Sequence, residues 1–246
     1  MASFNESRES VEKYFEWRAE RNRPLVDKLN GIINLKGLKI LEIGCGFGQL
    51  TKLLSENGAF VTSTEIDGKT YSIAKKMLRG AKNVKLILVN GEKLQFRDGT
   101  FDMVILFDVI EHVTNPQNMM QECKRVLKSN GFLYCEFTPY YSPIGHHLYD
   151  YSKFPIHFLP KSIVKIVVYS SKQKGFSTQD EHWNQFISLN KLKITDFQKF
   201  VHDMTVLEEK YVIKYPGLFE LNLPFLKYLG YFKDFFTFSF VGVYRK

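Results

Sequence analysis

Three glycines crowd the segment "LEIGCGFGQL", residues 41 to 50, at Gly44, Gly46 and Gly48. Glycines at such a turn bring bare backbone against a ligand, which side chains would prevent. A dinucleotide site wants its last glycine at position 49, where this chain has Gln49, so the spacing is GxGxG and a nicotinamide reading weakens. Two acids sharpen the choice. Glu42 lies two residues before Gly44 and shares its face by strand alternation. Glu65 ends the next β-branched run, where an acid can hydrogen-bond both hydroxyls of a ribose. An acid beside the turn suits a ligand with positive charge and repels pyrophosphate.

A second group of reactive side chains lies in "TPYYSPIGHHLYDYSKFPIHFLP", residues 138 to 160, with His146, His147, Asp150, His157 and several tyrosines. Two readings stand side by side. In one the segment is a substrate pocket, in which a histidine takes a proton and tyrosines bracket the acceptor. In the other it is an aromatic lid packed on the core. The candidate bases are His146, His147 and the earlier His112 of "DVIEHV", and the candidate acceptor contacts are Tyr140, Tyr149 and Asp150. The histidine spacing matches no standard metal site, and no metal is expected.

The elements that must hold these residues alternate. "LKILEIG", "AFVTSTEID", "NVKLILVN", "TFDMVILFDV" and "GFLYCEFTP" read as strands, and the stretches between them carry helical spacing. The stretch "NPQNMMQECKRVLKSNG" reads as a helix with Pro116 in its first turn and Gly131 beyond its end. Strands alternating with crossover helices imply a doubly wound parallel sheet. Residues 1–36 read as an N-terminal cap of one or two helices broken or restarted at Pro24, and 37–138 as the core. Residues 139–194 form an insertion with one good helix, around "PKSIVKIVVYSSK". Residues 195–246 complete the sheet, with Thr195 as N-cap of "DFQKFVHDM" and the strands "TVLEEKYVIKY" and "FTFSFVGVYRK" to follow.

A chain of 246 residues, 44% hydrophobic, can bury one substantial core. No apolar run reaches the roughly 20 residues of a membrane span, and the charged start "MASFNESRESVEKYF" does not read as a signal peptide, so a cytoplasmic protein is expected. The three cysteines contain no CxxC pair and read as reduced core residues. The net charge of +8 is spread through the chain among acids, which disfavours a nucleic-acid partner. The aromatic stretch "LFELNLPFLKYLGYFKDFFTFSF" reads equally as core packing, a dimer interface, shelter for a hydrophobic acceptor or a membrane contact.

Together, "LEIGCGFG", "VTSTEID", "VNGEKLQFRDGTFDMVILFDVIEHV" and "VLKSNGFLYCEF" resemble the class I, Rossmann-like S-adenosylmethionine-dependent methyltransferases, in the group acting on small molecules. The resemblance covers about residues 37 to 138. It implies a seven-stranded, mostly parallel α/β sheet with an antiparallel edge strand. It implies that Gly44, Cys45, Gly46 and Gly48 cradle the amino-acid and ribose portions of S-adenosylmethionine, with Glu42 near the amino group and Glu65 on the ribose. Ile66 would pack on adenine, and Asn90, Gly91 and Glu92 would edge it. Many relatives have aspartate at Asn90; the asparagine carbonyl oxygen can still meet the adenine amino group. Phe107 and Asp108 would line the methionine arm, with Glu111 and His112 beneath the transferred methyl. The implied product is S-adenosylhomocysteine, and the implied partner is a small-molecule acceptor of a monomer or homodimer, with looser likeness to enzymes of glycan and lipid-sugar synthesis. The signature of enzymes acting on adenine amino groups is absent after the fourth strand, which demotes RNA or DNA. A non-catalytic S-adenosylmethionine sensor and a nicotinamide dehydrogenase remain as alternatives.

Overall fold

In the computed structural model, which describes residues 9–149, 151–172, 177–215 and 219–246, Ser10 caps the first helix by accepting the Lys13 N–H at 3.1 Å. This helix, α1, is continuous over Val11–Ile32 and contains Pro24. Phe15, Ala19, Asn22, Val26 and Leu29 form an unbroken buried stripe across the proline, so packing overrides the expected break. The elements that follow are β1 (Lys39–Ile43), α2 (Gln49–Glu56), β2 (Phe60–Glu65), α3 (Gly68–Met77), β3 (Val84–Leu88), β4 (Phe101–Phe107), α4 (Pro116–Val126) and β5 (Leu127–Phe137).

The helix expected to end just before Gly131 ends at Val126 instead. The Arg125 and Val126 carbonyls accept Gly99 and Thr100 N–H groups, which draws them out of the helical ladder, and the fully buried Leu127 begins β5. The remaining elements are α5 (Lys161–Ser170), α6 (Gln179–Ser188), α7 (Ile194–Phe200), β6 (Thr205–Tyr215), β7 (Phe219–Asn222), α8 (Lys233–Phe236) and β8 (Ser239–Arg245). Among the described residues, short 3-10 segments lie at Ile110–His112, Ile156–Phe158 and Pro224–Phe232.

The sheet has the order β3-β2-β1-β4-β5-β8-β6-β7 and eight strands, not the expected seven. The additional strand is β7, which hydrogen-bonds antiparallel to β6. β1 pairs parallel with β2 and β4, and β2 with β3.

The chain divides into two compact units. One runs to Phe107 and includes Glu122–Leu133 and Lys246; the other comprises Asp108–Gln121 and Tyr134–Arg245. In the first, β1 and β4 bury Ile40, Leu41, Met103, Val104, Ile105 and Leu106 completely, as expected of strands covered on both faces.

The second unit contains a separate small core of Leu148, Ile156, Val164, Val168 and Phe186, which packs α5 with α6. The sequence reading recognised only α5 here. Thr178 and Glu181 form a full capping box that starts α6. Thr195 is not the N-cap of α7: the helix begins at Ile194, and the Ile194 N–H is accepted by Asp234 Oδ1 at 3.0 Å from far along the chain.

The C-terminal aromatic stretch is core only in part: Leu226 and Phe240 are buried. Tyr228 (78% exposed), Phe225, Tyr231, Phe232, Phe235 and Phe236 face outward, while Lys233 and Asp234 are buried. No described helix is long and apolar enough to cross a membrane.

Candidate functional site

In the first unit the sheet register sets Glu42 beside Ser63 and Ile43 beside Thr64. The chain then leaves β1 through the glycine turn into α2. Gly48 has φ +89°, a backbone angle that requires glycine, and a Cβ there would press on the Leu78 side chain at 2.7 Å from its Cδ1. Gly46 has φ +56° and open space where its side chain would be.

The turn's amides are mostly used internally. Gly44 and Cys45 N–H both donate to the Thr64 carbonyl at 2.9 Å, and Gly48 N–H donates to that of Cys45 at 2.9 Å. What remains is the amino end of α2, which has no side-chain cap. Its N–H groups and helix dipole suit a carboxylate. Burial pushes the Cys45 thiol up, with Glu42 and Glu65 adding to the effect, so this cysteine is inert packing.

Glu65 is the anchor of the turn. Its Oε2 accepts the Gly46 N–H at 3.0 Å, and its Oε1 accepts those of Ile66 at 2.8 Å and Asp67 at 3.1 Å. A carboxylate held by three backbone donors is fixed in orientation and keeps lone-pair capacity for hydroxyl donors. Directly after it, Ile66 is 66% exposed. An apolar side chain presented to solvent beside a fixed acid is what a base-and-ribose ligand would cover. Asn90 Oδ1 accepts the Glu92 N–H at 2.8 Å, which shapes the 90–92 turn and leaves one lone pair of that oxygen for an adenine amino group.

Helix α1 reaches this region. The Tyr14 ring meets Phe47 edge-on at 6.0 Å, and the Arg18 guanidinium lies 5.2 Å from the Phe107 ring centre. These contacts bring an N-terminal arm over residues 47 and 107, a role the sequence did not signal.

Glu42 is more enclosed than a ligand contact needs to be. It is 3% exposed, and its Oε2 lies 2.5 Å from Thr51 Oγ1 and 3.1 Å from Ser63 Oγ. The two hydroxyls also stand 2.9 Å apart. Burial raises this carboxyl to about 7, against the two hydroxyl bonds that lower it.

In the second unit, Asp108 and His147 hold positive φ, +55° and +54°. Such strain in non-glycine residues clusters at functional places. Glu111 and His112 follow Asp108 on a 3-10 turn, and the His112 and His147 rings meet edge-on at 5.1 Å. Glu111 Oε1 lies 3.9 Å from His147 Nε2. Glu111 Oε2 and His147 Nε2 are both buried without a hydrogen-bond partner. Burial, then the charge of Asp108, raises Glu111 well above the ordinary carboxylate range. Burial, then His112 and His146, lowers His147 to about 3.

Proton counting fixes two tautomers. Ser188 Oγ donates to the Gln185 carbonyl at 2.8 Å, so at 2.9 Å from His112 Nδ1 it accepts. Neutral His112 therefore carries its proton on Nδ1 and has a bare Nε2. His146 is the reverse: its Nδ1 accepts the Leu148 N–H at 2.9 Å, which puts the ring proton on a buried Nε2. His146 is fully buried and offers no free basic nitrogen.

Tyr149 is exposed and packs on His147, with ring centres 6.1 Å apart. Tyr140 meets His157 at 5.2 Å, and its hydroxyl contacts the His157 carbonyl at 3.5 Å. Asp150 lies outside the described residues. Glu111 is the site residue whose partnership with His147 the sequence could not show; its one signal is the Asp-x-x-Glu-His spacing at 108–112.

A parallel sheet that opens through a glycine turn into a helix, with an acid fixed at the end of the next strand, defines a Rossmann-like α/β fold with its ligand crevice at that turn. Residues 41–135 match the family described as "Methyltransferase domain". Over 108 residues, 43% of this chain and 47% of the relative, the chain is 32% identical to the ubiquinone biosynthesis O-methyltransferase of Dechloromonas aromatica (strain RCB). Over 103 residues it is 33% identical to the demethylmenaquinone methyltransferase of Tropheryma whipplei (strain Twist), covering 42% of this chain and 43% of that one. The match thus spans less than half the length of either relative.

Among solved structures, a protein from Pyrococcus horikoshii OT3 aligns over 97% of this chain and 92% of its own, with TM-score 0.63 and 23% identity. Magnesium protoporphyrin IX methyltransferase from Synechocystis PCC 6803, solved with bound SAH, aligns over 100% and 88%, with TM-score 0.59 and 16% identity. These two likenesses are of fold. The similarity to methyltransferases is thus carried by residues 41–135.

Proposed function

We propose that the protein transfers a methyl group from S-adenosylmethionine to an oxygen or nitrogen of a small molecule, with an oxygen acceptor preferred. The observation that carries this reading is Glu65, held by three backbone amides beside a glycine turn and followed by an exposed apolar Ile66. The cofactor, when bound, supplies an electrophilic sulfonium methyl. Glu65 would accept from its ribose hydroxyls, Ile66 would cover one face of adenine, and Asn90 would meet the adenine edge. The uncapped start of α2 would take the amino-acid carboxylate, with Phe107 along the methionine arm.

Glu42 supports the turn through Thr51 and Ser63, a positioning role in place of direct contact with the amino group. On the acceptor side we place His112, His147, Tyr140 and Tyr149. With no ion bound, His112 Nε2 is the available proton acceptor in this group. An oxygen acceptor is favoured by the relative named as an O-methyltransferase.

The test is incubation with methyl-labelled cofactor and a fractionated cell extract, alongside a panel of phenolic and glycosidic acceptors. Label appearing in a small molecule, with S-adenosylhomocysteine formed in equal amount, is the expected result. Saturable cofactor binding with no label transferred to any fraction would convert the reading to a sensor. Absence of cofactor binding would remove both.

A further inference from the structure

The second unit contains an arrangement that cofactor binding leaves unexplained. Glu111, His112 and His147 each bring one donor atom within 4.8 Å of the others. They pair poorly among themselves: the Glu111–His147 approach is 3.9 Å, too long for a hydrogen bond, and Glu111 Oε2 and His147 Nε2 have no partner at all. Orphaned polar atoms in a buried place cost free energy, so two of them on side chains that lie in one cluster call for a further group there.

We propose that Glu111, His112 and His147 form a binding site for a divalent transition-metal ion of the zinc class. Two neutral imidazoles and one carboxylate are a donor set for zinc, manganese, iron or cobalt, whereas magnesium and calcium want oxygen alone. Ligands of such an ion stand about 3–4 Å apart, so small side-chain rotations close the set. His112 presents a bare Nε2 because Ser188 holds its Nδ1–H, and the His147 Nε2 has no hydrogen-bond partner to compete with an ion. The Ser188 contact is the kind of outer hydrogen bond that orients metal-bound histidines.

Charge agrees with the donor chemistry. An ion of charge +2 on one carboxylate leaves one positive charge, and Asp108 and Glu136 already press their negative charges on Glu111. The strained φ of His147 has a purpose on this reading, since it holds a ligand of the ion. The proposal does not depend on methyl transfer. It does remove His112 and His147 as free bases whenever the ion is bound.

The experiment uses the full chain, stripped with chelator and dialysed, then titrated with zinc chloride by calorimetry and with cobalt chloride by visible absorption. One equivalent of zinc, and cobalt bands in the visible range, are expected. Glu111→Gln, which keeps shape, and His147→Ala should each weaken zinc binding roughly tenfold or more. Ser188→Ala should weaken it about tenfold through orientation. His202→Ala, on an exposed histidine bonded to the Lys199 carbonyl, should leave it unchanged.

Thermal unfolding of each metal-free variant separates lost ligands from lost fold. Absence of stoichiometric binding overturns the proposal. So does binding that survives both Glu111→Gln and His147→Ala in folded protein, or that falls equally in His202→Ala. Because no arm uses S-adenosylmethionine, failure here is distinct from failure of the methyltransferase reading.

Discussion

At the scale of single residues, the two acids that flank the glycine turn act differently although they lie in one unit. Glu65 is a fixed acceptor, and Glu65→Ala should weaken S-adenosylmethionine binding by about 2 kcal/mol or more, roughly thirtyfold in Kd, through lost charge-assisted bonds. Calorimetry showing wild-type affinity in a folded Glu65→Ala protein would take Glu65 out of the cofactor site. Glu42 is a titrating core group. The three oxygen contacts among Glu42, Thr51 and Ser63 outnumber the two hydroxyl protons, and a carboxyl proton would complete the ring. Because burial raises it from 4.5 to about 7, the folded chain keeps a proton that the unfolded chain has released in that window. Unfolding there releases a proton, so stability falls as pH rises from 4.5 to 7, by about 3 kcal/mol in total. Glu42→Gln removes the titration, so its stability advantage over wild type should grow across that interval. Urea unfolding at several pH values measures this, and parallel curves for the two proteins would refute it. The place of Glu65 at the end of a strand was legible in the sequence because the β-branched run ends there. The enclosure of Glu42 was not, because Thr51 and Ser63 reach it only through helix packing and sheet register.

The same division between local and distant causes holds for the elements. Alternating strands and helices up to β4 were readable from periodicity, and the capping box at Thr178 and Glu181 was readable in principle, since it is a four-residue pattern. The passage of α1 through Pro24, the early start of β5 and the capping of α7 were not, because each depends on a surface supplied by residues far along the chain. Asp234 shows the energetic consequence. It is 1% exposed and serves the amide of Ile194, while its neighbours Phe232, Phe235 and Phe236 stand outside. Hydrophobicity alone would rank these residues in the opposite order. Asp234→Ala should cost about 1–3 kcal/mol by freeing a buried N–H at the start of α7, whereas Phe232→Ser should stay within about 0.5 kcal/mol of wild type. Thermal unfolding of the two variants decides this; a larger loss in Phe232→Ser would mean that the aromatic stretch is covered in solution.

Across the whole molecule, the two chemistries belong to different compact units. The residues assigned to the methyl donor from 42 to 107 lie in the unit that ends at Phe107, and Glu111, His112 and His147 lie in the other. This separation was invisible in the sequence, which joins residues 107 and 108 and says nothing of a boundary between them. A ligand that binds only the native state slows local opening where it makes its contacts, and at a concentration of 100 Kd it adds about 2.7 kcal/mol. Hydrogen exchange read by mass spectrometry should therefore resolve two footprints. S-adenosylhomocysteine should protect β1, the glycine turn, the segment after β2 and the turn at 90–92. Zinc should protect the turn at 110–112 and the segment around His147. Protection by zinc that fell on β1 and β2 alone would place the ion elsewhere, and S-adenosylhomocysteine that left residues 44–48 and 65–67 unprotected would refute the cradle. If both footprints fall as assigned, adding the ligands in either order tests for coupling: a Kd for one that changes with saturation by the other must, by linkage, change reciprocally and by the same factor.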